Sequence, residues 1–151
     1  MHRDIKNFLL YWLPPLLWMV FIFPTNKSLS SEYTSHFLYP IIKFFLPHAG
    51  EGTVEIVHLL IRKFTHFFNY AFLTFLLLRA LCGGKKIWKW KWIFSAGLIA
   101  VCYGLLDEGV QTIIPSRTGS IYDWLIDSTG VVFSLGVLSL KAGRRKSTCS
   151  R

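Results

Sequence analysis

Cysteine is scarce in this sequence, and its spacing excludes two common kinds of site. The three cysteines, Cys82, Cys102 and Cys149, are odd in number, and no C-x-x-C pair occurs. A disulfide framework needs an even set of cysteines, and a cysteine zinc site needs closely spaced pairs. Internal repeats and low-complexity tracts are absent as well. We therefore expect a single domain over residues 1–151 without a disulfide framework.

Acidic residues are also few. The chain has 8 of them against 17 lysines and arginines, which gives a formal net charge of +9. A strongly basic chain can bind nucleic acid or anionic lipid headgroups. Here the basic residues cluster between and after apolar runs, and no zinc-finger or RNA-recognition motif occurs. Nucleic acid is therefore not an expected partner, whereas membrane lipids are.

Apolar residues, by contrast, are abundant and gathered in runs. They make up 52% of the chain, the mean hydropathy is +0.41, and aromatic residues reach 17%. Tryptophans near the ends of the runs are typical of the interfacial belt of a membrane protein. Because a spanning helix needs about 20 residues, the sequence predicts an all-α, polytopic membrane bundle of four transmembrane helices. These helices are predicted roughly at residues 8–23, 56–78, 92–114 and 121–140.

The first connection, residues 24–55, is long, and part of it has the pattern of a surface helix. Apolar residues recur there at helical spacing, while His36, Pro40 and Lys43 argue against a full span. We predict an amphipathic helix that lies in the membrane interface. Its apolar residues are Phe37, Leu38, Ile41, Ile42, Phe45 and Leu46.

The distribution of basic residues predicts the orientation in the membrane. The connection at 79–91 and the tail at 141–151 are rich in lysine and arginine and contain no acidic residue, whereas the first connection contains three glutamates. Short, strongly basic loops stay in the cytoplasm. Both termini are therefore predicted to be cytoplasmic. The first connection and the turn at 115–120 are then outside.

Charged and polar residues interrupt three of the four apolar runs. Each charge at the centre of a spanning helix costs about 2.5–3.5 kcal/mol on insertion scales, so such residues usually have a function or a partner. The second run contains Arg62, Lys63, His66 and Tyr70, the third contains Tyr103, Asp107, Glu108 and Gln111, Arg117 follows in the outer turn, and the fourth run begins with Asp123 and Asp127.

Helical spacing places these residues on shared faces at one depth. Arg62, His66 and Tyr70 repeat at i, i+4 and i+8 on one side of the second helix. The third helix has the same spacing at Tyr103, Asp107 and Gln111. Asp123 and Asp127 are one turn apart. Glu108 lies about 100° from Asp107, so it either flanks the same site or faces another helix. With the predicted topology Arg62, Lys63 and His66 lie in the outer half of the second helix or near the midplane, and Asp107 to Gln111, Asp123 and Asp127 lie near the outer face. The sequence therefore predicts one polar site near the outer face.

The residue types at this site suit phosphate chemistry. Arginine and lysine donate hydrogen bonds to phosphate oxygens, carboxylates hold hard divalent cations or act as general acids and bases, and histidine transfers protons or attacks phosphorus. The candidate catalytic residues are His66, Asp107, Glu108, Asp123 and Asp127, and the last four are also candidate ligands of a divalent cation. The candidate substrate-binding residues are Arg62, Lys63, Tyr70, Tyr103, Gln111 and Arg117.

A structural interpretation of the same residues stays open. Three fixed positive charges and four negative ones nearly cancel, so they can form an interhelical network that fixes the packing of the helices. In either case we expect Arg62 to pair with at least one of the acids, for example Asp107, because an unpaired charge at that depth would cost several kcal/mol.

The three polar blocks resemble a known family. The pattern is Arg62-Lys63-x-x-His66-x-x-x-Tyr70, then Tyr103-x-x-x-Asp107-Glu108-x-x-Gln111, then Arg117-x-Gly119-Ser120-x-x-Asp123-x-x-x-Asp127-x-x-Gly130. It resembles the VanZ-like family of bacterial membrane proteins over essentially the whole chain. One departure is Asn69, where many members of that family carry a glutamate before the tyrosine.

The resemblance implies a multi-pass protein of the bacterial cytoplasmic membrane, whose founding relative is linked to low-level resistance to teicoplanin. Three functions are open. The first is an enzyme that hydrolyses or transfers a phosphate-containing lipid or polyprenyl headgroup in cell-envelope metabolism. The second is a non-catalytic protein that binds a lipid-linked cell-wall precursor or a glycopeptide antibiotic. The third, a proton-coupled transporter, is disfavoured by four helices without an inverted repeat.

Overall fold

The computed structural model describes residues 2–23, 39–48, 50–83, 85, 89–113 and 120–148. Within these ranges every regular element is an α-helix. Four of the helices are long and apolar enough to cross a membrane, which confirms the predicted all-α bundle. In chain order the helices are α1 (His2–Ile22), α2 (39–45), α3 (Glu51–Leu81), α4 (Trp90–Ile113) and α5 (Ile121–Thr148).

The short helix α2 lies in the first connection, where an interfacial helix was predicted. Ile42 is buried, whereas Phe44 and Phe45 are 79% and 75% exposed. Exposed aromatic side chains on a short helix are suited to the boundary between lipid and water. The first residues of the predicted segment, Phe37 and Leu38, lie outside the described residues.

The ends of the helices differ from the predicted ends. The predicted second helix, 56–78, is α3 and begins at Glu51, directly after an extended Gly50. Glu51 in the first turn interacts favourably with the helix dipole. Two of the three glutamates that were predicted in the first connection, Glu51 and Glu55, therefore belong to this helix. α1 likewise begins before residue 8, and α5 continues beyond residue 140. Hydropathy identifies the part of a helix that lipid covers, not the turns that project beyond it.

Helix α3 is the centre of the bundle, and α1, α4 and α5 all pack against it. Apolar side chains of α3, α4 and α5 form the core, which includes Leu73, Leu77, Ala96 and Val131. Most side chains of α1 are exposed. Two long-range hydrogen bonds hold α1 in place: Trp18 Nε1 donates to the carbonyl of Asn69 at 3.1 Å, and the Tyr103 hydroxyl donates to the carbonyl of Met19 at 2.6 Å.

The antiparallel order of α3, α4 and α5 brings three polar segments to one end of the bundle. These segments are the first half of α3, the last two turns of α4 and the first two turns of α5, and we call this region the polar end. Toward the opposite end the buried residues are mainly apolar and include Leu76, Leu78 and Leu138. The predicted separation of polar and apolar depths is thus present in the structure.

Helices α3 and α5 approach each other closely at Gly130, next to the polar end. A Cβ atom at this position would lie less than 3.0 Å from the backbone carbonyl oxygen of Phe67. Only glycine lets two helix backbones come this near. Because Phe67 follows His66 and Gly130 is three residues after Asp127, this contact also sets the distance between those two functional candidates.

Gly130→Ala should therefore force α3 and α5 apart and lower the free energy of unfolding by about 1–3 kcal/mol, as overpacking generally does. Gly136→Ala is the matched control, because a Cβ atom there meets nothing within 4 Å. Thermal unfolding of both variants in detergent measures the difference. Equal stability of the two variants would contradict the close contact.

Candidate functional site

One face of α3 carries three interhelix contacts that are each about one helical turn apart. Arg62 and Lys63 contact Asp123, His66 contacts Asp127, and Tyr70 contacts Asp107. The i, i+4, i+8 spacing on α3 explains this regular order. The first two carboxylates come from α5 and the third from α4. The face predicted from the spacing is thus the one that the structure turns toward the acidic residues.

The first contact joins two cations to one carboxylate. The Arg62 guanidinium lies 3.2 Å from Asp123 Oδ2, and the Lys63 ammonium contacts Asp123 Oδ1. Asp123 is buried, whereas the side chains of Arg62 and Lys63 are 38% and 29% exposed. The expected pairing of Arg62 with an acid is confirmed, but its partner is Asp123. Both cations keep donors that point away from the carboxylate.

The second contact forms a compact group of three side chains from three helices. His66 Nδ1 lies 3.1 Å from Asp127 Oδ1, and Glu108 of α4 completes the group. One potential ligand atom from each residue lies within 4.8 Å of the others. Asp127 and Glu108 are 1% and 5% exposed, while the His66 side chain is 19% exposed. We call these three residues the His66 triad.

Two oxygens of the His66 triad have no hydrogen-bond partner among the described residues. They are Glu108 Oε1 and Asp127 Oδ2, and both are buried. A buried carboxylate oxygen without a donor is unfavourable, and such atoms in folded proteins usually mark a functional group or a bound species. The sequence analysis left open whether Glu108 flanks the polar site or faces another helix. In the structure it lies beside His66 and Asp127.

Ser120 contributes to this site through its backbone, which the sequence analysis missed. Its amide N–H donates to Glu108 Oε2 at 2.8 Å, and its hydroxyl accepts a hydrogen bond from the Tyr122 amide at 3.2 Å. Ser120 thus caps α5, and a carboxylate of α4 lies at the positive end of the α5 dipole. The sequence did indicate a helix cap at Ser120, because the pattern Ser120-x-x-Asp123 is typical of a helix N-terminus.

The third contact is buried more deeply and involves neutral partners. The Tyr70 hydroxyl donates to Asp107 Oδ2 at 3.2 Å, and Gln111 Nε2 donates to the same oxygen at 3.3 Å. All three residues are at most 5% exposed. These residues support the packing of α3 on α4 rather than lining an accessible surface.

Tyr103, a further predicted substrate-binding residue, is not part of these contacts. The Tyr103 hydroxyl is engaged by the backbone of α1, although its ring centroid lies 6.5 Å from that of Tyr70. Arg117 lies outside the described residues. The remaining candidates converge at the polar end, where their chemistry combines two fixed cations, a partly exposed imidazole and four buried carboxylates.

A protein-family model described as VanZ/LLP1 matches residues 8–142. No curated protein and no solved structure matches the chain. The matched range includes all three polar contacts on α3.

Proposed function

This chain belongs to the VanZ/LLP1 family and has four helices that can span a membrane, and we propose that it is an enzyme acting on a phosphate-containing headgroup of a lipid or polyprenyl carrier. One observation carries this proposal. Two fixed cations, Arg62 and Lys63, lie one turn of α3 away from His66, which pairs with Asp127 of α5. Cleavage of a phosphate-containing headgroup requires phosphate binding and proton transfer at neighbouring positions.

Arg62 and Lys63 are the proposed phosphate ligands. Asp123 fixes both side chains, so little conformational entropy is lost when an anion binds to their remaining N–H groups. Arginine gives forked contacts to two phosphate oxygens, and lysine adds a compact charge. Their partial exposure leaves them accessible from the surface of the bundle.

His66 is the proposed general base. Asp127 binds Nδ1, which leaves Nε2 to accept the proton of an attacking water or alcohol. The carboxylate orients the ring and stabilises the imidazolium ion that forms, as in other histidine–carboxylate pairs. Because His66 is one turn from Lys63, a phosphate held by the cations places its reacting oxygen within reach of the imidazole.

A groove of about 480 Å³ along the first half of α3 is not part of the proposed site. Helical spacing places its lining residues on the side of α3 that faces away from Arg62, His66 and Tyr70. The residues that line the groove are Leu60, Ile61, Phe64, Thr65, Phe68 and Asn69.

The proposed location is the bacterial cytoplasmic membrane, with both termini inside and the polar end at the outer face. Cysteines introduced at exposed Tyr122 and exposed Lys85 test this orientation in a background without the three native cysteines. We expect a membrane-impermeant maleimide to label Tyr122→Cys in intact cells, and Lys85→Cys only after permeabilisation. The opposite pattern would contradict the orientation.

A turnover assay tests the proposed function. The purified protein is incubated in lipid nanodiscs with phosphatidic acid, a phosphatidylglycerol phosphate or a polyprenyl diphosphate, and products are separated by mass. We expect headgroup cleavage or transfer for at least one substrate. Tight binding of a substrate without turnover would support the non-catalytic envelope function instead. Turnover without any effect of Arg62→Met would contradict the assigned phosphate ligands.

A further inference from the structure

We propose that the His66 triad holds one divalent transition-metal ion. The triad presents one imidazole and two carboxylates from three helices, with a potential ligand atom of each lying within 4.8 Å of the others. This inference is an alternative to the general-base role proposed for His66, because an imidazole bound to metal through Nδ1 no longer pairs with Asp127 as that role requires. It leaves Arg62 and Lys63 as the proposed phosphate ligands.

The buried oxygens of the triad supply the main argument. Glu108 Oε1 and Asp127 Oδ2 accept no hydrogen bond from the described residues, and both side chains are at least nine-tenths buried. Within the described part of the chain, neither carboxylate forms an ion pair with lysine or arginine, because Arg62 and Lys63 contact Asp123. Two adjacent buried carboxylates repel each other, and a cation between them removes that repulsion.

The other carboxylates of the polar end are less suited to bind metal. Asp123 already contacts two cations, and one oxygen of Asp107 accepts hydrogen bonds from Tyr70 and Gln111. Of the four carboxylates that the sequence offered as ligands, the structure thus favours Glu108 and Asp127. It adds His66, which the sequence analysis assigned to proton transfer or attack on phosphorus.

The donor set indicates the class of metal. Magnesium and calcium prefer shells made entirely of oxygen, whereas imidazole suits zinc, iron and other transition metals. Three protein ligands are typical of catalytic zinc sites, which keep a fourth position for water or substrate. We therefore infer a site for Zn²⁺ or a similar ion such as Mn²⁺ or Fe²⁺.

Small side-chain movements are enough to complete the site. At metal–ligand distances of about 2.0–2.2 Å, tetrahedral ligand atoms lie roughly 3.3–3.6 Å apart. The His66 Nδ1–Asp127 Oδ1 distance of 3.1 Å is already close to this separation. The Ser120 amide holds Glu108 beside the start of α5, and Gly130 lets α5 approach the backbone of α3 at Phe67.

Metal binding can be measured without any assay of activity. The purified full-length protein is stripped with chelator, incubated separately with Zn²⁺, Mn²⁺ and Mg²⁺, passed through size exclusion in detergent and analysed for metal by mass spectrometry. We expect about one Zn²⁺ or Mn²⁺ per chain and no retained Mg²⁺. Absorption of the Co²⁺-loaded wild type should show the intense visible bands of a four- or five-coordinate site, a readout that requires no variant.

Variants of matched chemistry test the ligands. Asp127→Asn and Glu108→Gln should each weaken Zn²⁺ binding at least 10-fold, whereas Asp107→Asn, which changes a buried carboxylate outside the triad, should retain it. Failure of the wild type to bind any transition metal at 100-fold molar excess would overturn the proposal, as would equal loss in all three variants. In that case two carboxylates sharing a proton would explain the unpaired oxygens.

Discussion

Replacement of His66 by glutamine, or of Asp127 by asparagine, is expected to lower the rate of headgroup turnover by about 10²–10⁴-fold, the range typical of a lost general base. Glutamine and asparagine keep the approximate shape of the side chains but cannot carry the proton. Glutamine keeps an N–H donor for the buried Asp127 carboxylate, and asparagine removes the buried charge while His66 stays partly exposed, so neither change leaves a buried ion without a hydrogen-bond donor. Membrane levels should therefore stay near that of the wild type.

The control substitutions make the same kinds of change, histidine to glutamine and carboxylate to amide, at exposed positions. His48→Gln and Glu55→Gln alter exposed residues at the turn before α3 and in its second turn. We expect both to retain wild-type turnover. Rates are measured in nanodiscs at equal protein concentration, with membrane levels determined by quantitative immunoblot. Full activity of His66→Gln would show that His66 is not the general base.

The double variant Arg62→Met/Lys63→Met is expected to lose about 3–5 kcal/mol of stability, because removing the partners of a buried charge leaves that charge uncompensated. Asp123 is 2% exposed and has its two cationic partners on α3. The free energy of unfolding, measured by denaturant titration in mixed micelles, should fall accordingly. This is the largest stability effect that we expect at the polar end.

Adding Asp123→Leu to the double variant should restore most of the lost stability. An ion pair replaced by apolar side chains of similar volume is often neutral or stabilising. The single variant Asp123→Leu separates this effect from simple loss of packing, because it leaves both cations without their carboxylate. Additive losses in the triple variant would show that Asp123 and the two cations do not stabilise each other.

Much of the fold follows directly from the sequence. Long apolar runs predicted the four long helices, and the i, i+4, i+8 spacing of Arg62, His66 and Tyr70 predicted which face of α3 meets the acidic residues. The depth of the polar residues followed from the antiparallel order of the helices. These features depend on periodicity and chain direction alone, so one sequence is enough to predict them.

Partner assignments could not be predicted in the same way. The sequence offered Asp107 as an example of a partner for Arg62, whereas the structure pairs Arg62 with Asp123 and Tyr70 with Asp107. Which acid meets which base depends on the rotation and axial shift of neighbouring helices. Those quantities are set by close contacts such as that of Gly130 with the backbone of Phe67, which periodicity does not reveal.

The position of Glu108 illustrates the same limit of sequence patterns. It lies off the face shared by Asp107 and Gln111, yet it reaches the His66 triad because the start of α5 packs beside it and Ser120 donates to its carboxylate. Helix spacing describes single helices, whereas this contact arises where two helices and their connection meet.

The central claim is that the ionic groups of the polar end serve a reaction and not merely the packing of helices. The most direct test is the turnover rate of the triple variant Arg62→Met/Lys63→Met/Asp123→Leu at a membrane level matched to wild type. We predict a stable protein without measurable headgroup turnover, because methionine and leucine cannot bind phosphate. Turnover equal to that of the wild type would contradict the claim and assign these residues to packing alone.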